Sequence, residues 1–361
     1  MSKVAVITDT HAGIKNGADV FLDYAEKFYS EIFFPYCQKN NISNILHLGD
    51  YYDHRRIANI KVLHRVRQMF QEKLDEYDMT MDIIPGNHDV AFKNTNALSS
   101  LVETLQHYTD RVNLHMEPTV VQYDNLRVAL IPWINAENKE EVMEFVSNVD
   151  APFLGGHLEL AGFEMMKGVP INSHGMSSTP FSRFETVMSG HYHTKSTREN
   201  IHYLGVPFEQ TWSDCNDAKY FHVIDTDTRE LTPIRNPLTI YNRVVYDDSK
   251  CKETDDFLKA HKGSDNVIDS FVKVIVANKK NPYNFDRYVD HLMSQNPFDL
   301  KIVENFEDAL VDKATEGEQE IVDTQTLLNT YVDDIELSCD KERLKKKLQE
   351  LFVEAQNFEA V

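Results

Sequence analysis

The chain has little of what several protein classes require. Four cysteines in 361 residues, at Cys37, Cys215, Cys251 and Cys339, stand far apart and form no Cys-x-x-Cys pair. That spacing argues against a disulfide frame or a zinc ribbon and for reduced thiols. No apolar run approaches the length of a membrane span, and the start of the chain lacks a basic segment followed by a hydrophobic one, so a cytoplasmic protein without a membrane role is expected. No G-x-x-x-x-G-K-[ST] occurs, so any ATP-driven step must come from another chain. Positive charge is also scarce, with 37 Lys and Arg against 58 Asp and Glu and a net charge of −21. A protein acting alone on nucleic acid usually presents a basic surface, which makes this the awkward number for any such reading.

The acidity is unevenly spread. Between Glu304 and Asp340 the only Lys or Arg is Lys313. By contrast, the stretch HRRIANIKVLHRVR from His54 to Arg67 holds Arg55, Arg56, Lys61, Arg65 and Arg67 and no acid. It reads either as a solvated helix face or as a phosphate-contacting surface, with Arg55 and Arg56 as the candidate DNA contacts. The 42% hydrophobic and 26% charged composition is that of a globular protein with a large core.

Short β-rich runs alternate with helical stretches through the first two-thirds. Val4 to Thr8, Asn44 to Gly49, Met81 to Pro85, Val128 to Pro132, Phe153 to Gly155 and Thr186 to Ser189 read as buried strands, with Ile201 to Val206 and Tyr220 to Asp225 following. A first domain is expected over 1–236, and a small module of strand, helix, strand, helix and strand over 237–305. An acidic linker is expected over 306–322 and a helix pair over 323–361. In that pair Asp340 is a candidate N-cap, and Leu344, Leu348, Leu351 and Phe352 lie on an apolar stripe suited either to the chain's own core or to a partner.

Motifs rich in ligand-type side chains follow the strand-like runs: DTHAG at Asp9, GDYYDH at Gly49, GNHD at Gly86, GGH at Gly155 and SGHYHT at Ser189. Each is weak alone. Together they offer Asp9, His11, Asp50, Asn87, His157, His191 and His193 as oxygen and nitrogen ligands at the carboxyl ends of strands, where α/β scaffolds assemble sites. With no cysteine among them, the set suits two divalent ions, manganese first, with magnesium, iron or zinc as other candidates. Asp50 is the natural bridge between two ions about 3.5–4 Å apart, an arrangement that clamps a phosphate ester and activates water. His88 is left over as a general acid for the departing alkoxide. Asp53 is expected to accept a hydrogen bond from its ring, unless it only caps the loop, a role also open to Asp89.

The motifs in this order resemble those of the calcineurin-like metallophosphoesterase superfamily. The resemblance implies an α+β fold, a β-sandwich of two mixed sheets flanked by helices, with Asp9, His11, Asp50 and His193 on one metal and Asp50, Asn87, His157 and His191 on the other. More narrowly, IPW at Ile131, GVPF at Gly205, FHVIDTDT at Phe221 and DTQTLL at Asp323 are similar to the SbcD-type double-strand-break repair nucleases, above all their T-even phage members. That likeness implies 3′-5′ exonuclease activity on duplex DNA, endonuclease activity on single strands, a homodimer within a heterotetramer, and an SMC-like ABC ATPase held by the terminal helices. Tyr51-Tyr52, where Leu-Phe is commoner in that group, and His54-Arg55 after Asp53 depart from its pattern. A metallophosphatase, a small phosphodiesterase and a metal-free adaptor are the competing expectations, since one metal centre serves several substrates.

Overall fold

Residues 2–107, 110–165, 175–249 and 267–304, with positions 341 and 347, are described by a computed structural model. In chain order the first part holds β1 (Lys3–Ile7), α1 (Asp19–Lys27), α2 (Phe34–Lys39), β2 (Asn44–His47), α3 (Ile60–Val66), α4 (Glu72–Glu76) and β3 (Thr80–Ile83). Next come the β4 (Val90–Phe92) and β5 (Thr95–Ser99) hairpin, α5 (Ser100–Leu105), β6 (Val112–Leu114), β7 (Thr119–Tyr123), β8 (Leu126–Ile131), α6 (Lys139–Asn148) and β9 (Phe153–His157). The remainder is β10 (Thr186–Gly190), β11 (Ser196–Arg198), β12 (Ile201–Tyr203), β13 (Lys219–Asp225), β14 (Leu231–Asn236), β15 (Tyr241–Asp247), β16 (Phe271–Asn278), α7 (Pro282–Met293) and β17 (Asp299–Val303).

The strands form two six-stranded mixed sheets, ordered β14-β13-β1-β2-β3-β6 and β11-β12-β10-β9-β8-β7. Pairing is parallel from β1 through β2 and β3 to β6, and from β8 through β9 and β10 to β12, so the loops after these strands gather at one end of each sheet. Alternation along β1 shows why its run VAVI has no polar face. Val4 and Val6 join Leu46, Val128, Phe153 and Met188 between the sheets, while Ala5 and Ile7 face the aromatic layer of Phe28, Phe33 and Phe70. The second sheet likewise turns Ala129, Leu154 and Val187 toward Val142 and Val146 of α6. Layers therefore run helix, sheet, sheet, helix, as the α+β sandwich requires.

Between α1 and α2 the winding widens to a π-helix over Phe28–Phe33. Phe28 and Phe33, and Tyr29 and Phe34, are spaced by the five residues such a turn brings into line, and all four are buried. Each such ring contributes about 2–3 kcal/mol through burial.

Strand positions follow the sequence expectations closely, but His157 and Gly190 close their strands instead of following them. Beyond β14 a three-stranded parallel sheet β15-β16-β17 packs Val244, Tyr246, Val272 and Val274 on Phe285, Tyr288 and Leu292 of α7. The linker 306–322, the helix pair with Leu344, Leu348, Leu351 and Phe352, and the segment expected to hold the small module's first helix lie outside the described residues. No helix among the described residues is long and apolar enough to cross a membrane.

Candidate metal centre

Five loops, three from the first sheet and two from the second, bring together every side chain of the expected ligand pool. The loops after β1 and β2 are laced by backbone bonds from Asp9 N to Gly49 O, His11 N to Asp50 O and Ala12 N to Tyr51 O, at 3.0, 3.0 and 2.8 Å. Asp9, His11, Asp50 and His191 all sit at positive φ, between 40° and 84°. Left-handed backbone is costly for such residues, and its concentration here marks a site that the surrounding fold over-determines. Glycine is required beside them: a Cβ on Gly86 would stand 2.1 Å from Asp50 Oδ1, and one on Gly190 2.1 Å from Thr8 Oγ1.

One cluster groups Asp9, His11 and His193, and a second groups Asp50, His157 and His191, with donor atoms within 4.8 Å of one another in each. Asn87 belongs with the second, since its Oδ1 accepts from His157 Nε2 at 3.0 Å and His191 Nδ1 at 2.9 Å. His157 Nδ1 donates to the Leu48 carbonyl at 2.8 Å, which fixes the ring and turns Nε2 toward Asp50 Oδ2, 3.2 Å away. His11 Nε2 lies 3.6 Å from the same oxygen, so Asp50 stands between the two clusters. Tyr192, between the two histidines of GHYH, is fully buried against Tyr203 in the second sheet's outer core.

Charge explains the rest of the geometry. Burial pushes the Asp9 carboxyl above the ordinary range despite His157, while Asp50, equally buried, is held well below it by His157, His88 and His11. Burial disfavours a charged His157, but Asp50 and Asp9 outweigh it and raise the ring to about 9. Burial lowers His11 and His191 well below the usual imidazole value. Buried carboxylates facing this many rings call for positive charge, and His11 Nδ1, His11 Nε2 and His193 Nδ1 are buried nitrogens with no hydrogen-bond partner among the described residues. Neutral, unpaired imidazoles beside carboxylates are the donor set a divalent cation takes, so these residues fit a metal pair.

His88 stands at the rim, its ring edge-on to His11 at 4.8 Å. It is oriented by Asp53, although not in the expected way. His88 Nδ1 donates to the Asp53 backbone carbonyl at 2.7 Å, while the Asp53 carboxylate lies 3.6 Å from His11 Nδ1. Asp89 is the loop cap, accepting from Gly86 N at 2.9 Å, Tyr51 N at 3.0 Å and Tyr52 N at 3.2 Å.

The basic run divides. Lys61 pairs with Asp19 at 3.0 Å, Arg65 with Asp23 and Glu26 at 2.7 and 2.6 Å, and Arg67 with Glu72 at 3.3 Å. For these three the ion pairs accord with the solvated-helix-face alternative. Arg55, partly buried, feels the Asp50 charge, and exposed Arg56 donates to Ala91 O at 3.2 Å.

A buttress passed over in the sequence lies at 209–219. Gln210 Nε2 donates to Asp9 O at 2.6 Å, and buried Lys219 reaches Asp214 at 2.6 Å, Asp217 at 2.9 Å and the His193 carbonyl at 3.4 Å. The signal for it was a cluster of polar residues, Glu209, Gln210, Asp214 and Lys219, between two apolar strands.

The calcineurin-like phosphoesterase family matches residues 2–308. Exonuclease subunit 1 of Enterobacteria phage T4 is 30% identical over 356 residues, covering 98% of this chain and 99% of that protein. Solved structures of an archaeal phosphodiesterase and of a Thermus thermophilus protein share 12% and 11% identity, with TM-scores of 0.34 and 0.38. Each covers 65% of this chain, and 99% and 98% of its own, a likeness too slight to argue from.

Proposed function

Since the chain belongs to the calcineurin-like phosphoesterase family, whose fold uses a dinuclear metal site to hydrolyse phosphoesters, we propose that it is a manganese-dependent DNA nuclease, the catalytic subunit of a complex that processes DNA ends in recombination and double-strand-break repair. It removes nucleotides 3′ to 5′ from duplex ends and cuts single strands. The observation that carries the chemistry is the convergence of Asp9, His11, His193, Asp50, Asn87, His157 and His191 on two adjoining clusters with buried, unpartnered ring nitrogens. The choice of DNA is supported by likeness over nearly the whole chain to a phage exonuclease subunit. The word subunit supports a partner for this chain too, which we take to be an SMC-like ABC ATPase bound by the 323–361 helices, the nuclease itself pairing as a homodimer. An ATPase with a basic surface would ease the approach of DNA to so acidic a chain.

Asp9, His11 and His193 would hold one ion and Asn87, His157 and His191 the other, with Asp50 shared. Bound there, the ions supply an activated water and charge neutralisation at the phosphate. The protein's own part is positional and acid-base. Leu48 O accepts from His157 Nδ1, which fixes the ring and leaves Nε2 for the ion. A carbonyl can only accept, so His88 Nδ1 carries a proton toward Asp53 O, and the ring acting as an imidazolium gives the second proton, on Nε2, to the departing sugar oxygen, leaving the neutral Nδ1–H tautomer behind. Arg55 and Arg56, just past the second motif, meet the DNA backbone.

The test is nucleotide release from end-labelled duplex and single-stranded DNA, with and without manganese, beside a simple aryl phosphate ester. Manganese-dependent cleavage lost in His88→Asn, which retains metal, is the expected result. Rapid ester turnover with DNA untouched by the ATPase-supplemented protein would overturn the nuclease reading in favour of a phosphatase.

A further inference from the structure

Trp133 is the aromatic side chain at the metal centre that belongs to no core cluster among the described residues. It is only partly buried, and its ring lies 5.3 Å from that of His191 and 5.9 Å from that of His157. Those are two of the rings assigned to one metal, so the indole stands beside the place a scissile phosphate must reach. The loop after β8 presents it with unusual firmness. Trp133 N donates to Pro85 O at 2.9 Å, one residue before the GNHD motif, and Trp133 O accepts from Asn96 Nδ2 at 2.9 Å and Asn138 Nδ2 at 3.0 Å. Asn135 Nδ2 closes the clasp on Asn96 Oδ1 at 2.8 Å.

The hairpin that bears Asn96 also carries the cation next in line. Arg56 donates to Ala91 O and rests over the Phe92 ring, 5.8 Å from its centre. One hairpin thus holds both the main chain that bears the indole, through Asn96, and the Arg56 guanidinium, through Ala91 and Phe92. A nucleic-acid strand offers a matching pair of features, a flat base next to a phosphate, and base stacking on an aromatic side chain is tolerant of sequence. From this placement we propose that Trp133 is a stacking platform for the nucleobase flanking the scissile phosphate, which makes it the residue that favours nucleotide esters over other phosphodiesters. The proposal rests on the nuclease reading and deepens it.

Trp133→Ala and Trp133→Phe test it on single-stranded DNA, on the p-nitrophenyl ester of thymidine 5′-phosphate and on methyl p-nitrophenyl phosphate, with manganese content measured for each protein. In Trp133→Ala, KM for DNA and for the thymidine ester should rise roughly tenfold, the range expected of one lost stack. Turnover of the methyl ester should stay within about twofold, and Trp133→Phe should recover most of the loss. The chain has two tryptophans, so quenching of the Trp133 fluorescence by an oligonucleotide, absent in Trp133→Phe, gives an equilibrium readout.

Equal loss of kcat on all three substrates, or a fall in bound manganese, would overturn the proposal by making Trp133 a prop for His191. Unchanged kinetics would overturn it as well. Wild-type protein that, supplemented with the ATPase, hydrolyses the esters and leaves DNA intact would refute the nuclease reading, while the thymidine ester would still decide the role of Trp133.

Discussion

The two halves of the metal centre are built on opposite terms. Around Asp50, Asn87, His157 and His191 the protein satisfies its own polar atoms: Asn87 Oδ1 takes two imidazole donors and Leu48 O holds the far side of His157. Around Asp9, His11 and His193 the ring nitrogens of His11 and Nδ1 of His193 have no hydrogen-bond partner among the described residues, and order comes from behind, through Gln210 on the Asp9 carbonyl and Lys219 on the His193 carbonyl. One half is a cradle pre-formed by hydrogen bonds. The other is a set of unpartnered ring nitrogens beside a carboxylate, which a bound cation would satisfy. Unpaired buried polar atoms cost about 1–3 kcal/mol each, so metal binding and folding are coupled mainly through the Asp9 half.

The most severe break is Asp50→Ala, which takes the shared ligand from both halves and the acceptor from His88 N. Phosphodiester hydrolysis should fall at least about a thousandfold, as for groups that act as a unit, with neither metal retained by elemental analysis. Second in size is Lys219→Met. It strands Asp214 as an uncompensated buried charge, for about 3–5 kcal/mol lost in denaturant titration, and metal binding at the Asp9 half should weaken more than at the other.

A direct comparison uses isosteric replacement in metal-free protein. His157→Leu takes one of two donors from each of Leu48 O and Asn87 Oδ1, leaving Thr8 Oγ1 and His191 Nδ1 in place, and should cost about 2 kcal/mol for the two lost hydrogen bonds. His11→Leu removes two unpaired nitrogens and should stay within about 1 kcal/mol of wild type. Equal losses in urea unfolding would erase the distinction between the halves.

The last effect concerns pH and is spread over several units. Burial raises the Glu209 carboxyl to about 7, with Ile240 N and Tyr241 N donating to it at 2.7 and 2.9 Å. The folded state therefore binds a proton that the unfolded chain, with a pKa near 4.5, has released. That contribution is complete below pH 4.5 and is lost as pH rises through 7, amounting to about 3 kcal/mol. Glu209→Gln should flatten stability between pH 5 and 8, a range set by the same carboxyl.

What could be read in advance follows from the same contrast. Ligands such as Asp9, Asp50 and His157 were legible because metal chemistry restricts residue type and the strand periodicity of VAVI or NILH places each at a strand end. The two-sheet sandwich was legible through the resemblance those motifs carry. Gln210 was not, because a buried amide looks like a surface residue until Asp9, far away in sequence, is folded against it; nor was Lys219, whose pairs with the nearby Asp214 and Asp217 read as a surface charge cluster until that loop is buried. The partners of Arg65 were hidden for the related reason that Asp23 and Glu26, on α1, lie about forty positions upstream. The acceptor for His88 escaped too, since side chains are what a sequence displays and the acceptor is main chain.

That last contact bears on how the enzyme can change. An interaction made by a carbonyl has no codon of its own, so the orientation of His88 cannot be deleted by replacing Asp53, only by rerouting the turn. On the proposed assignment of His88 as general acid, a substitution at position 53 would keep this main-chain acceptor and change only the carboxylate, which stands 3.6 Å from His11 Nδ1 and within 4.8 Å of a His88 ring nitrogen, so the metal half and the acid would be retuned together.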